Sequence, residues 1–265
     1  MGREGLFAVL YAASAVLSVV TVAASTTVWL HWSEILDNCA SRYCGCILNG
    51  ESSPIMFSGG EIQLCHFVSF APLPVFAIAL ILSCYYGYQA CMYKKVTRRT
   101  SKRRSGRSVA VARSAAEDPQ AGGGQMALAW WLVLLVTSVL CCLLLLAAAA
   151  ALTAGYHASC SQYRETAVRE LGAVGDAAAA VYDRLSCGAI FDIMDFVEPH
   201  TRPFLAKVGQ EDYYPLSEQR DRYRGDPVDT GGALVAAIVS SWLNSVVWLV
   251  LVAADVKLYG RCKCC

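Results

Sequence analysis

Charge is what this chain has least of. Asp, Glu, Lys and Arg make up 16% of its 265 residues, against about a quarter in a soluble domain of ordinary composition. The shortage is concentrated in four blocks, Leu6–Leu30, Phe67–Tyr88, Ala127–Ala154 and Ala233–Ala254, which carry no charged residue at all. A soluble fold is excluded on that pattern. No block has an ionisable side chain near its centre, which removes the groups that proton relays, ion-coupled carriers and voltage sensors depend on. Catalytic signatures are missing as well. There is no HExxH, no GxSxG and no phosphate-binding glycine loop, so neither zinc hydrolysis, acyl transfer nor nucleotide hydrolysis has its usual residues. The four histidines, His31, His66, His157 and His200, are scattered. No Asn-x-Ser/Thr sequon occurs: Asn38, Asn49 and Asn244 are each followed two residues later by something else. The expectation is a protein that is not an enzyme, with no cofactor and no metal.

Each apolar block is long enough to cross the roughly 30 Å hydrocarbon layer. In lipid such a segment must be helical, because a helix satisfies its own backbone N–H and C=O groups. The predicted fold is therefore an all-α membrane protein with four spans, 6–30, 67–90, 126–154 and 233–256. Between them lie a first outer loop 31–66, a basic loop 91–125, a large outer loop 155–232 and a tail 257–265. A cleaved signal peptide ending near Ala23-Ala24-Ser25 is the alternative for the first block. Its apolar run exceeds the usual signal-peptide core and only Arg3 precedes it, so a retained helix is expected. Gly2 lacks the Ser or Thr four residues on that myristoylation needs.

Orientation follows from the basic residues. Nine Lys or Arg lie between Lys94 and Arg113, and loops of that kind stay in the cytoplasm. Alternation then makes both termini cytoplasmic and leaves loops 31–66 and 155–232 facing the lumen or the exterior. The basic run can also attract anionic inner-leaflet lipid, at about 1 kcal/mol per residue close to the surface. Lys94, Lys95, Arg98, Arg99, Lys102, Arg103 and Arg104 carry that expectation. Ser101 and Ser105 sit among them as sites where phosphate would cancel the charge. Nucleic acid is not expected, because a short loop without aromatics lacks stacking platforms.

Topology also sorts the thirteen cysteines. Cys39, Cys44, Cys46, Cys65, Cys160 and Cys187 fall in the outer loops, where an oxidising compartment favours disulfides and the count leaves their pairing open. Cys91, Cys262, Cys264 and Cys265 lie beside membrane ends among basic residues, as S-palmitoylated cysteines do. Cys141 and Cys142 fall in mid-membrane as packing residues. Inside the spans, Ser14, Ser18, Thr21 and Ser25 recur three or four residues apart, and Ser240, Ser241, Asn244 and Ser245 cluster in the last block. Small polar residues in such stripes let helices approach and hydrogen-bond. Asp255 and Lys257 are expected to reach water at the end of the fourth span.

Within the loops, Asn49-Gly50 and Gly59-Gly60 are turn signals, and 46–48 and 54–57 read as short strands. Ser161–Leu185 repeats apolar residues every three or four positions and reads as an amphipathic helix. Ile190, Phe191 and their neighbours read as a short helix or cover.

Four spans with a small and a large outer loop share the layout of tetraspanins, without their Cys-Cys-Gly. Other motifs are more specific. Cys46-Ile47-Leu48-Asn49-Gly50-Glu51-Ser52-Ser53, Cys65-His66-Phe67-Val68 and Ser240-Ser241-Trp242-Leu243-Asn244-Ser245-Val246-Val247-Trp248 resemble the transmembrane protein 179 family, most of all its B branch. Cys160 and Ser186-Cys187 resemble that family's large-loop cysteine pair. The resemblance implies the four-span fold and no particular activity. The function expected is a non-enzymatic accessory subunit or organiser of a channel, receptor or trafficking complex, with a membrane-protein partner. An oligomeric pore or lipid pathway, and a membrane-bound thiol redox protein, are the alternatives.

Overall fold

The computed structural model describes residues 3–36, 45–52, 57–104, 123–170, 186–191 and 229–262, with positions 172, 174, 175 and 179. Helix α1 spans Arg3–Leu36, strands β1 and β2 span Cys46–Ser52 and Phe57–Gly60, and helix α2 spans Ile62–Phe70. Three long helices follow: α3 over Pro72–Arg104, α4 over Gly123–Glu170 and α5 over Thr230–Cys262. Four helical stretches, Glu4–Ser33, Ile62–Met92, Trp130–Thr166 and Thr230–Lys257, are long and apolar enough to cross a membrane. The chain is a mostly helical membrane protein, with two disulfides among the described residues.

The helices outrun the apolar blocks, because a helix that has left lipid needs only local propensity to continue. α3 runs on to Arg104, so the basic stretch read from sequence as a loop begins as helix. Lys94, Lys95, Arg98, Arg99, Ser101, Lys102, Arg103 and Arg104 all fall in its last three turns. Ser105 lies outside the described residues. The second span has a break. Ala71 separates α2 from α3, and its N–H still bonds the Phe67 carbonyl at 2.9 Å. Pro72 explains the break, since it supplies no N–H of its own, while Ala71 keeps helical dihedrals (φ -56°, ψ -34°).

α4 does not reach Leu185 as the periodicity predicts. It stops at Glu170, and Gly172 follows in the left-handed region (φ 57°), its N–H bonded to the Arg169 carbonyl. A glycine just past the last turn is the usual way a helix ends, because it has no Cβ to clash there. Residues 176–178 and 180–185 lie outside the described residues. A single helical turn over 187–191 follows.

The two strands pair antiparallel, Glu51 opposite Ser58 and Ser52 opposite Phe57, with a register shift between Cys46 and Glu51. Asn49 sits at that shift with φ 59°. Asn tolerates this conformation better than most residues. Asn49-Gly50 is therefore a bulge inside β1 and not the turn that the dipeptide predicts. The second strand begins at Phe57, where the sequence reading had one ending.

Contacts divide the chain into two compact units. One comprises Met1–Ser18, Leu73–Leu145 and Leu243–Cys265; the other comprises Val19–Pro72 and Leu146–Trp242. In the first, Phe7 and Tyr11 of α1 stack on Tyr86 of α3, and Tyr11 also meets Trp248 of α5 edge-on. Val75, Ala79, Cys141, Cys142, Leu145 and Leu251 are buried with them. The second unit has an apolar core built from Val28, Trp32 and Leu36 of α1, Cys46–Leu48 of β1, Leu152 and Tyr156 of α4, Ile190, Phe191 and Leu234.

Candidate functional site

Two constructions draw on the residues singled out by the sequence. The first is a polar seam between α1 and α5. Along α1 the buried positions include Tyr11, Ser14, Ser18, Thr21, Ser25, Val28 and Trp32, alternately three and four apart, with Phe7, Ala15 and Leu36 buried beside them. Along α5 they include Leu234, Ala237, Ser241, Asn244, Trp248, Leu251 and Asp255, with the same alternation, and Thr230, Ser240 and Ser245 are buried beside them. Within each unit that spacing keeps a stripe facing a neighbouring helix, and small side chains on the stripe allow close approach in a membrane. In the first unit, the Trp248 indole Nε1 donates to Ser14 Oγ at 2.7 Å and the Asn244 amide donates to Ser18 Oγ at 2.9 Å. These rungs run the helices antiparallel. In the second unit, Thr21 Oγ1 and Ser240 Oγ lie 2.8 Å apart. Ser25 instead donates to the Thr21 carbonyl of its own helix.

All five residues expected to pack helices, Ser14, Ser18, Ser241, Asn244 and Ser245, are buried. Asn244 Oδ1 has no hydrogen-bond partner among the described residues.

The second construction is a disulfide-tied module, contained in the second unit. Cys46 bonds Cys65, which closes the hairpin onto α2. Cys160 bonds Cys187, which closes the segment after α4 back onto that helix. Of the six disulfide candidates, these four are paired; Cys39 and Cys44 lie outside the described residues. The hairpin is seated on α4 by one hydroxyl. Ser159 Oγ donates to the Ile47 carbonyl at 2.7 Å and accepts from the Gly50 N–H at 3.1 Å. Gly155, one turn earlier, lets β1 come in: a Cβ there would lie 2.8 Å from Leu48 Cβ. Beside this core, Trp29 meets His66 edge-on at 4.6 Å and Phe70 at 6.0 Å, while His157 packs on Tyr156. These histidines sit in aromatic contacts, and the described residues hold no cluster of three His, Cys, Asp or Glu able to take a metal ion.

The remaining cysteines divide by burial. Cys141 and Cys142 are buried among packing residues, whereas Cys84 and Cys91 are exposed on α3. Cys262 ends α5, and Cys264 and Cys265 lie outside the described residues.

One expectation is corrected. Asp255 does not reach water at the end of the span; it is buried, with 6% of its surface exposed, while Lys257 is exposed. Helical side chains lean toward the N-terminus of their own helix, so the Asp255 carboxyl points back along α5 instead of off its end. Ser138 Oγ donates to Asp255 Oδ2 at 3.4 Å, and Trp131 Nε1 donates to the Asp255 carbonyl at 3.3 Å. The sequence reading also passed over Ser138, Ser159 and Gly155. Ser159 lies three residues beyond Tyr156 in a helix whose inward face repeats every three or four positions, and that phase was its only signal. No protein-family model, curated protein or solved structure matches this chain.

Proposed function

We propose that this protein is a non-enzymatic accessory subunit or organiser, which holds a partner membrane protein through its spans and through the disulfide-tied module. The supporting observation is where the polar groups go. Asn244 and Trp248 donate to Ser18 and Ser14 inside a single chain, and long apolar helix faces such as Val16, Leu140, Leu143, Val246 and Val250 are left outward. Apolar faces suit lipid or another spanning helix. The alternative, a pore built by oligomerisation around the Ser/Asn stripe of α5, has less support, since Ser240, Ser241, Asn244 and Ser245 are buried within the chain. The Cys46–Cys65 and Cys160–Cys187 bonds fix a folded module next to the spans, as a contact platform requires.

In this proposal the basic end of α3 and both termini are cytoplasmic, by the positive-inside rule. The module then faces an oxidising compartment, consistent with its disulfides. The basic end of α3 meets anionic lipid, and Cys91, Cys262, Cys264 and Cys265 are acylated. Membership of the transmembrane protein 179 family is part of the same proposal, resting on the Cys46–Ser53, Cys65–Val68 and Ser240–Trp248 motifs.

The test is a gentle-detergent purification of the tagged chain from its native tissue, followed by quantitative mass spectrometry. One multi-pass protein at near-equal amount, lost when Cys160 and Cys187 are both replaced by Ser, supports the proposal. Recovery of this chain alone as a defined oligomer with bound lipid overturns it.

A further inference from the structure

Ile190 and Phe191 fill the core of the second unit from a single helical turn. That turn begins at Ser186, whose Oγ accepts from the Ala189 N–H at 3.2 Å and whose carbonyl accepts from the Ile190 N–H at 3.1 Å. Ile190 and Phe191 are fully buried, and Phe191 packs on Tyr156 of α4 with ring centroids 5.2 Å apart. The turn also meets the start of α5, where a Cβ on Gly231 would lie 2.8 Å from the Gly188 carbonyl oxygen. The Cys160–Cys187 bond ties it covalently to α4. A four-residue step along the chain thus runs from a disulfide to the side chain that covers Tyr156.

The two disulfides differ in how a reagent can reach them. Cys46 and Cys65 are both buried, at 0% and 3% exposure, under the hairpin and α2. Cys160 is buried as well, but Cys187 is partly exposed, next to exposed Ser186 and two residues before exposed Ala189. Gly188 beside it has open space where a Cβ would stand. Thiol–disulfide exchange needs a thiolate to approach one sulfur of the bond, so its rate depends on access. Cys187 offers that access, whereas Cys46 and Cys65 do not.

We propose that Cys160–Cys187 is a reversible redox latch, opened by a dithiol reductant. One thiolate of the dithiol attacks Cys187 Sγ. The Cys160–Cys187 bond breaks as a mixed disulfide forms, and Cys160 departs and takes up a proton. The second thiol of the reductant then closes on its own partner sulfur and releases Cys187 as a thiol. The chain has gained two electrons and two protons, and the dithiol has become a disulfide. Closed, the latch holds Ile190 and Phe191 in the core. Open, it lets the turn leave and bares Tyr156, an order-to-disorder change of one short segment. Cys46–Cys65 stays closed and keeps the hairpin on α2, so the change is local. The latch stands apart from the accessory reading, because it is set by this chain and a thiol reagent alone.

The test takes the full oxidised chain in nanodiscs through rising concentrations of dithiothreitol, the dithiol probe. Free thiols are capped with N-ethylmaleimide at each step, and the linked peptides are quantified by mass spectrometry. The 160–187 link should be lost while the 46–65 link is retained. At that concentration hydrogen exchange should speed up over 186–191 and stay unchanged over 46–52. Oxidised glutathione should then restore both the link and the protection. Loss of both links at one concentration, or of 46–65 first, overturns the latch. So does selective loss of 160–187 without faster exchange over 186–191, because the bond would then hold nothing in place. Faster exchange over 46–52 in the same sample overturns it too, as general unfolding, and so does a link that oxidised glutathione fails to restore.

Discussion

Asn244 and Ser18 sit 226 positions apart in sequence and 2.9 Å apart in space, joined by a hydrogen bond from the amide nitrogen to the hydroxyl, both side chains fully buried. Such bonds in membranes are worth about 0.6 kcal/mol on average and at most about 1.7, because the separated helices find other partners. A double-mutant cycle with Asn244→Ala and Ser18→Ala, read by reversible unfolding in mixed micelles, should return a coupling energy in that range. A coupling of zero would mean that the two helices are not held in this register.

The neighbouring rung tests the same register by a different group. Trp248 is fully buried, donates to Ser14 at 2.7 Å and meets Tyr11 edge-on. Trp248→Phe keeps an aromatic ring for Tyr11 and deletes the donor. The expected loss is about 1 kcal/mol, the net value of one hydrogen bond. The fluorescence spectrum should also lose part of its blue-shifted component, which Trp248 shares with the equally buried Trp32, since a fully buried indole has no water to relax around it. Trp242, exposed on the same helix, is the control: Trp242→Phe should remove emission without that selective loss.

On α4, Ser159 and Gly155 seat the hairpin by different means. Ser159→Ala strips the partner from two buried backbone groups, Ile47 C=O and Gly50 N–H, and should cost about 1–3 kcal/mol. Gly155→Ala puts a methyl against Leu48 Cβ and should cost a similar amount, about 1–3 kcal/mol, by overpacking. The clash is with Cβ, which alanine retains, so Leu48→Ala should fail to rescue Gly155→Ala. Faster hydrogen exchange over Cys46–Ser52 in either single variant is the measurement. Rescue by Leu48→Ala would show that the side-chain tip, and not the backbone approach, sets the spacing.

The spans were legible because lipid imposes one rule on every residue in them: an uncharged run of sufficient length must be helix. Ser14 and Ser18 were legible as a packing face for a related reason, since a polar stripe in such a run has to meet another helix. The Cys160–Cys187 pair was hinted at only by the motif around Ser186-Cys187, because a cysteine count leaves pairing open. Three features escaped for three different physical reasons. α4 ends at Glu170 because Gly172 takes a left-handed conformation, which the apolar repeat that continues past it does not register. Asn49-Gly50 makes a bulge because its strand is held from the side by Ser159, a contact more than 100 positions away. Asp255 is buried because side-chain direction on a helix, and not distance from the end of the apolar run, decides whether a carboxyl reaches water.

The two disulfides are predicted to be unequal in what they hold. Cys46–Cys65 closes 19 residues and Cys160–Cys187 closes 27, so chain entropy alone assigns each about 3 kcal/mol, with little between them. What lies inside each loop differs. The 46–65 loop contains the hairpin, which is also held by strand pairing and by Ser159. The segment after Cys187 has Ile190 and Phe191 buried in the core, Phe191 against Tyr156, and its described anchors to α4 are that contact and the bond itself. Cys160→Ser with Cys187→Ser should therefore release 187–191 and expose Tyr156, while Cys46→Ser with Cys65→Ser should lower the unfolding midpoint and leave the hairpin in place. Peptide mapping under non-reducing conditions establishes the pairing first: fragments linked 46–65 and 160–187 are expected, and a fragment linking either pair to Cys39 or Cys44 would replace it. Limited proteolysis then separates the variants, with early cleavage near Phe191 expected only in the second pair. Equal protection at Phe191 in both would mean that core packing, and not the Cys160–Cys187 bond, keeps that segment against α4.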